Sequence, residues 1–244
     1  MLLKLSAISR SFGAISVAEN VSFSVPFGSA VGIIGPNGAG KTSLFNLISG
    51  DLSPTSGKIE FQGEDVTALG SRDRSRLGIA RTYQVPLPFV GLTAFENVLV
   101  GATFAVDQHA APPEERADTV LRRVGLAHRS DILAGSLSLL DRKRLELARA
   151  LATQPKLILL DEIAGGLTDA ECQDLVTLIG AIHASGTAVI WIEHIVHALM
   201  SVVERLIVLD RGQLVADGKP AVVMHSSRVR EIYLGVEPDS RDLA

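Results

Sequence analysis

A glycine-rich octapeptide carries the clearest chemical signal in the sequence. It matches the pattern G-x-x-x-x-G-K-[ST], is followed by Ser43, and reads Gly35-Pro36-Asn37-Gly38-Ala39-Gly40-Lys41-Thr42. Glycines let a backbone wrap closely round a polyphosphate with its N–H groups pointing inward, and a helix that begins there adds a dipole favourable to an anion. We expect Lys41 to reach the β and γ phosphates and the Thr42 hydroxyl to bind Mg²⁺. The octapeptide and Ser43 therefore predict a polyphosphate-binding site.

Two adjacent carboxylates provide a second chemical signal. Asp161 and Glu162 follow the apolar run Leu157-Ile158-Leu159-Leu160, which is typical of a buried strand. Ligands of open α/β sheets gather at the carboxyl ends of strands. Because successive strand residues point to opposite sides, we expect different roles for the two: one coordinates Mg²⁺, directly or through water, and the other orients or deprotonates an attacking water. The pattern is weak alone and becomes strong beside the glycine-rich loop.

An α/β scaffold is needed to bring these residues together, and the hydrophobic periodicity predicts one. Short apolar runs predict strands over 2–8, 21–25, 30–34 and 58–61, and a helix follows the glycine loop over 41–49. Helical spacing dominates from 93 to 153, with helices over 114–124 and 138–151. The last third alternates strands over 157–160, 188–192 and 206–209 with helices over 170–184 and 195–202. Apolar strands separated by helices indicate a buried, largely parallel sheet.

We predict one domain over 1–236 and a loose tail over 237–244. Its β-rich and sheet-forming core covers 1–92 and 154–236, and a helical insertion covers about 93–153. No fixed-period repeat and no Gly/Ser-rich linker divides the chain, and Ala111-Pro112-Pro113 is the expected exposed break.

Composition narrows the possible classes of protein. The 244 residues contain 23 Lys and Arg against 27 Asp and Glu, a net charge of −4, so a protein that binds a nucleic-acid backbone is not expected. The most apolar long stretch, 187–209, contains five charged or ionisable residues and is unsuited to crossing a bilayer. The single Cys172 cannot form an internal disulfide, and the first residues do not resemble a signal peptide. We therefore expect a cytoplasmic location.

Taken in order, these motifs resemble the ATP-binding cassette (ABC) ATPases, and the resemblance covers nearly the whole chain. It implies a P-loop NTPase fold of the α/β class, with a mixed RecA-like core, an antiparallel β subdomain and an inserted helical subdomain, and it implies hydrolysis of ATP with Mg²⁺. Asp161 then matches the residue that binds the metal, and Glu162 matches the catalytic base. Phe12 falls where the family stacks an aromatic ring on adenine, although a core phenylalanine would have the same local sequence.

The resemblance assigns roles to further residues. Gln84, in Arg81-Thr82-Tyr83-Gln84, is similar to the family's glutamine that senses the γ-phosphate and the metal and abuts the membrane partner. His194 matches the switch histidine near the γ-phosphate, and 164–169 resembles the loop that crosses the dimer interface.

One segment departs from the family pattern. Where relatives carry Leu-Ser-Gly-Gly-Gln, this chain reads Leu137-Ser138-Leu139-Leu140-Asp141; we name it the signature segment. Ser138 is kept as a nucleotide-contacting residue, but a branched side chain at Leu140 fills the space that glycine leaves for a phosphate. The following Arg142-Lys143-Arg144 predicts a solvated helix face. Ile163 also stands where the family usually has Pro, and Thr168 stands where it usually has Asp or Asn.

Short motifs resemble one group within the family. They are 161–167, the triplet Ile192-Glu193-His194 and Tyr233-Leu234-Gly235, and they look like the ATPases of importers for branched-chain and other hydrophobic amino acids. Related ATPases serve urea uptake or lipopolysaccharide export, so the solute follows by analogy only.

The resemblance also implies partners. It implies a second ATPase subunit, transmembrane permease subunits, a solute-binding protein that acts indirectly, and a peripheral position on the cytoplasmic face of the membrane. Because the signature segment lacks its glycines, we expect the second ATPase to be a different chain. We expect the permease to dock near Gln84 and the helices between 93 and 125.

Two other classes of protein share part of this pattern. A soluble ABC clamp without a membrane partner usually has two cassettes in one chain or a coiled-coil insertion, and neither is visible here. A phosphoryl-transferring P-loop kinase would leave Gln84, His194 and the helix after Ser138 unexplained.

Overall fold

The computed structural model of the protein describes residues 1–105 and 111–234, except for the side chains of Tyr233 and Leu234. The predicted tail over 237–244, and Gly235 of the Tyr233-Leu234-Gly235 motif, lie outside the described residues.

The first part of the chain forms a four-stranded antiparallel sheet in the order β2-β1-β4-β5. Its strands are β1 (Leu3–Phe12), β2 (Ile15–Val25), β4 (Ser56–Phe61) and β5 (Glu64–Asp65). β1 and β2 form a long hairpin whose register runs from Leu3 opposite Val25 to Phe12 opposite Ile15. Phe12 therefore lies at the turn of this hairpin.

The second sheet has six strands in the order β10-β9-β3-β8-β7-β6. They are β3 (Ala30–Ile34), β6 (Ile79–Arg81), β7 (Leu157–Asp161), β8 (Ala188–Ile192), β9 (Arg205–Asp210) and β10 (Gln213–Gly218). Five strands are parallel, and only the edge strand β10 is antiparallel to its neighbour. Every residue of β3, β7 and β8 is buried, as expected for central strands covered on both faces.

Helices cover both faces of this sheet. Those of the described residues are α1 (Lys41–Ser49), α2 (Ser71–Leu77), α3 (Ala94–Thr103), α4 (Pro113–Arg123), α5 (Leu139–Ala152), α6 (Asp169–Ala184), α7 (Val196–Met200), α8 (Pro220–His225) and α9 (Ser227–Leu234). One apolar core packs the small sheet and α1 against the large sheet. A second core packs the helices from α3 through α7 against the large sheet. Among the described residues, no helix combines the length and apolar character required of a membrane span.

The structure confirms the predicted fold class and most of the predicted elements. The strands over 30–34 and 188–192 and the helix over 41–49 match residue for residue. The hairpin strands extend beyond the predicted 2–8 and 21–25, because irregular register shifts and polar residues break the simple alternation that sequence reasoning follows. The sequence patterns do not predict β5, β6, β10, α2, α8 or α9; β6 has three residues and, within the described part of the chain, pairs only with β7. Helices α3 to α5 lie between β6 and β7, while the domain limits at 93 and 153 stay a prediction.

Candidate active site

The glycine-rich loop lies between the end of β3 and the start of α1. Gly40 has a left-handed backbone, with φ of 98°, and a Cβ on it would lie 2.3 Å from the Val17 carbonyl oxygen. A Cβ on Gly35 would lie 2.3 Å from the Leu209 carbonyl oxygen. Any other residue at these positions would displace the backbone of β2 or β9, so the packing itself requires glycine.

Lys41 is buried beneath this loop. It is 6% exposed, and its Nζ donates to the carbonyl oxygens of Gly35 at 2.8 Å and Pro36 at 3.1 Å. Burial lowers the pKa of Lys41, and the nearby negative charges of Glu162 and Asp161 oppose that change. The ammonium group is therefore held among carbonyl oxygens at the place where phosphates are expected.

The rest of the loop is more open. Asn37, Gly38 and Thr42 are exposed, and Ser43 is half-buried. Ala39 is buried, and its carbonyl oxygen accepts from Gly212 N–H at 2.9 Å. The Thr42 hydroxyl is thus accessible to a metal, as its predicted role requires.

Asp161 ends β7 and pairs with Arg81 at the end of β6. It is 3% exposed, and its Oδ2 lies 2.9 Å from the Arg81 guanidinium. Burial raises the pKa of Asp161, whereas the hydrogen bond and charge of Arg81 lower it. Arg81 also lies 3.4 Å from the Asp51 carboxylate and donates to the Asn46 side chain. Sequence patterns give Arg81 no role of its own, because β6, the strand that places it beside β7, has only three residues.

Glu162 contacts two other residues that the resemblance places near the γ-phosphate. Its Oε1 lies 2.7 Å from His194 Nε2, and its Oε2 accepts a hydrogen bond from the Gln84 amide. Glu162 has a left-handed backbone with φ of 45°, uncommon outside glycine, and its N–H donates to the Ile192 carbonyl oxygen at 2.9 Å. The three predicted residues Gln84, Glu162 and His194 therefore meet, although 110 positions separate the first from the last.

The sheet order explains why these residues meet. β3, β8 and β7 are parallel neighbours, and β6 follows at the edge. The glycine loop follows β3, His194 comes shortly after β8, Asp161 and Glu162 end β7, and Gln84 comes shortly after β6. The carboxyl ends of parallel strands meet at one edge, where α/β folds bind ligands.

The donor set fits Mg²⁺. Thr42 and Asp161 offer the hard oxygen ligands that this ion prefers, and Mg²⁺ usually keeps several waters and phosphate oxygens as further ligands. Within residues 1–105 and 111–234, no group of three or more His, Cys, Asp or Glu side chains forms an all-protein metal site. The site is therefore suited to a metal that arrives with a nucleotide.

Phe12 is half exposed at the hairpin turn. Its ring has 50% of its surface accessible, and the Arg10 guanidinium lies 4.8 Å from the ring centroid. The alternative of a core phenylalanine is therefore wrong. An accessible ring is compatible with the predicted stacking on adenine, which stays a prediction.

The signature segment begins α5. Ser138 is exposed at the N-cap, where its hydroxyl accepts the Asp141 N–H at 3.1 Å. Leu139 is 44% exposed and packs beside Gly166, where an added Cβ would lie 3.3 Å from its Cδ2. Thr168, unusual for the family, caps α6 in a reciprocal capping box with Glu171. The leucine thus contacts the predicted interface loop of its own chain.

The predicted solvated face over Arg142-Lys143-Arg144 is wrong at its centre. Lys143 is 2% exposed, because α5 is enclosed by the segments that surround it. Arg142 donates to the carbonyl oxygens of Leu137 and Gly135, and Arg144 lies 3.6 Å from Asp174. These cations hold the start of α5 in place.

Comparisons with known proteins agree with this architecture. A sequence model of the family described as ABC transporter matches residues 18–165. The lipopolysaccharide export system ATP-binding protein LptB of Haemophilus influenzae is 33% identical over 96% of this chain and 97% of its own length. The high-affinity branched-chain amino acid transport ATP-binding protein BraF of Pseudomonas aeruginosa is 32% identical over 96% of this chain and 98% of its own length.

Solved structures give the same result. A nucleotide-free ATP-binding cassette from an ABC transporter has a TM-score of 0.87 and 31% identity, covering 96% of this chain and 99% of its own. The dimeric cassette MJ0796 bound to ADP and Pi has a TM-score of 0.80 and 25% identity, and the match covers 90% of this chain and 99% of that cassette. Because the family model and these relatives match most of the chain, the chain belongs to the ABC transporter family, as an ATP-binding and ATP-hydrolysing subunit.

Proposed function

We propose that this subunit energises an importer for branched-chain or other hydrophobic amino acids. The observation that carries the hydrolytic part is the 2.7 Å contact between Glu162 Oε1 and His194 Nε2 beside the buried Lys41. The likeness to BraF over nearly the full length, and the triplet Ile192-Glu193-His194, support the choice of solute.

In this proposal the loop from Gly35 to Thr42, with Ser43, surrounds the triphosphate. Lys41 exchanges its bonds to the Gly35 and Pro36 carbonyl oxygens for bonds to phosphate oxygens, which are stronger acceptors. Thr42 and Asp161 hold Mg²⁺, with Gln84 nearby, and the ion when bound neutralises phosphate charge. Phe12 stacks on the adenine, and Ser138 contacts the nucleotide held by a second subunit.

Glu162 is assigned the role of general base. A water between Glu162 and the γ-phosphate attacks phosphorus, the bond from phosphorus to the ADP oxygen breaks, and the water proton passes to the Glu162 carboxylate. His194 and Gln84 hold the two oxygens of that carboxylate in the apo protein, so they fix its orientation before nucleotide binds. Because His194 is 44% exposed in its side chain, it is accessible to a γ-phosphate.

A cleft next to Gln84 supports permease docking at the predicted surface. It has a volume of about 500 Å³ and is lined by α2, α3 and α5, with Arg72, Arg76, Tyr83, Val100 and Phe104 among its walls. The segment that follows Gln84 exposes four apolar side chains, Val85, Leu87, Phe89 and Val90. ABC ATPases work as dimers with transmembrane permease components, and a contiguous apolar surface of this kind is typical of a protein interface. We place this face toward a permease at the cytoplasmic side of the membrane.

The second ATPase subunit is proposed to be a different chain. Leu139 and Leu140 place apolar surface where a glycine-containing signature would leave room for phosphate. This chain's own site would then be completed by the partner's signature. Equal ATPase rates per site for the purified chain alone and for the mixed pair would contradict this pairing.

Export of lipopolysaccharide is the second candidate, since LptB is 33% identical over nearly its full length. To test this, the subunit is co-purified with the permease encoded by an adjacent gene and reconstituted in vesicles. The ATPase activity is then measured with and without each candidate stimulus. Stimulation by a solute-binding protein loaded with leucine, isoleucine or valine supports import. Stimulation by lipopolysaccharide alone supports export and refutes the proposed solute.

A further inference from the structure

A buried carboxylate next to the hydrolytic centre has no role in the chemistry proposed above. Glu193 follows β8 and is 2% exposed. Its Oε2 accepts the Ala164 N–H at 3.1 Å, and its Oε1 accepts the N–H of His194 at 3.1 Å. One carboxylate therefore binds the backbone of two segments, the turn after Glu162 and the residue that carries the His194 imidazole.

These two backbone positions set the central contact of the site. Ala164 lies two residues after Glu162, and the N–H of Glu162 itself donates to the Ile192 carbonyl oxygen at 2.9 Å. Two hydrogen bonds thus join the chain at 162–164 to the chain at 192–194, and a third, from His194 N–H to Glu193 Oε1, lies within the second segment. The 2.7 Å distance between the Glu162 and His194 side chains depends on that junction, because both side chains extend from it.

We propose that Glu193 is a positioning residue that sets the contact between Glu162 and His194, because its two carboxylate oxygens hold the backbone of Ala164 and of His194. The inference rests on the proposed roles of Glu162 and His194.

The main test replaces Glu193 by Gln in the full chain assembled with its permease. Glu193→Gln keeps the size of the side chain but replaces an accepting oxygen by an N–H₂ group, so one backbone N–H loses its acceptor. We expect kcat for ATP to fall about 10- to 100-fold because misplacement of a reacting group is costly. We expect the KM for ATP and the binding of a fluorescent ATP analogue to change by less than about twofold. Glu64→Gln, at an exposed position on the small sheet, is the matched control and should retain wild-type kcat.

The single tryptophan reports whether the variants fold. Trp191 is fully buried two residues before Glu193, so its emission maximum should match the wild type in a folded variant, with a thermal midpoint lowered by the lost hydrogen bond. If Glu193→Gln does not fold, Glu193→Asp is measured instead, and an intermediate kcat with unchanged KM is expected. Wild-type kcat in a folded Glu193 variant, while Glu162→Gln is inactive, overturns this inference alone. Full activity of Glu162→Gln would instead overturn the proposed function.

Discussion

The phosphate loop and the signature segment are both turns that lead into a helix, yet they are constrained differently. In the loop, Gly35 and Gly40 face carbonyl oxygens of Leu209 and Val17 at distances that exclude any Cβ. In the signature segment, Leu139 is 44% exposed and Ser138 caps α5 through a local hydrogen bond. Two glycines of the loop are fixed by close approaches to backbone atoms, whereas the signature segment leaves Ser138 and Leu139 exposed.

In the ABC family arrangement that the resemblance implies, one nucleotide site combines the phosphate loop of one subunit with the signature segment of the other. The phosphate loop is bordered by β2, β9 and the end of β7, and packing explains Gly35 and Gly40 there, whereas Asn37 and Gly38 are exposed. The signature segment, which the resemblance implies faces a second subunit, has Leu139 and Leu140 where the family pattern has glycines. Nucleotide binding by this chain should therefore survive changes in the signature segment, and hydrolysis in the partner should not.

The largest expected effect tests the chain's own half. Glu162→Gln should lower ATP turnover about 1000-fold, because it removes the proposed general base while leaving the side chain's size unchanged. Binding of a fluorescent ATP analogue should be retained, and a closed dimer should accumulate in size-exclusion chromatography with ATP. Glu171→Gln, at the cap of α6, is a control for replacement of a nearby carboxylate. Ordinary turnover would remove Glu162 from this role.

The second effect tests the loop directly. Lys41→Ala should weaken ATP binding about 100-fold, because it removes a charge-assisted bond to phosphate. Titration with a fluorescent ATP analogue measures the change. Lys58→Ala, an exposed lysine on β4, should bind ATP as the wild type does. Equal affinity for Lys41→Ala and wild type would contradict the assigned phosphate site.

The third prediction restores glycines to the signature segment. Leu139→Gly/Leu140→Gly, mixed with a partner ATPase, should raise hydrolysis in the partner's site several-fold, roughly 1 kcal/mol in the barrier. The affinity of this chain for ATP should stay within about twofold. Leu133→Gly, at an equally accessible leucine outside the segment, controls for loss of apolar surface. A fall in this chain's own ATP affinity would show that the two halves are not independent.

The smallest effect concerns the helix that carries the signature segment. Glu146 of α5 is buried, and burial raises its pKa against the influence of Arg149 at 3.2 Å. A raised pKa in the folded state means that the group's contribution to stability is fully present below its unfolded pKa and is lost as pH rises through the folded value.

Glu146→Gln should therefore increase the free energy of unfolding more at pH 7.5 than at pH 5, by less than about 1 kcal/mol. Urea unfolding at the two pH values measures the difference. Glu114→Gln, at an exposed position in α4, should show no such pH dependence. A larger gain at pH 5 would contradict the stated direction of the pKa change.

Local sequence patterns were sufficient to predict the phosphate loop, the carboxylates at the end of β7 and the main helices. Gly35 to Thr42 could be identified because their chemistry depends on contiguous residues, and β3, β8 and α1 because apolar spacing encodes them locally. Patterns could not reveal β6 or α2, since a three-residue edge strand and a short polar helix owe their structure to neighbours distant in sequence.

The tertiary structure alone decided which side chains meet. The pairing of Arg81 with Asp161 and the junction between 162–164 and 192–194 join residues separated by up to 80 positions, and tertiary packing buries Lys143. A charged residue on a helix has the same local sequence whether it is solvated or enclosed, so Arg142-Lys143-Arg144 looked like an exposed face. Strand order and the register of parallel neighbours set these contacts, and neither is encoded in short-range spacing.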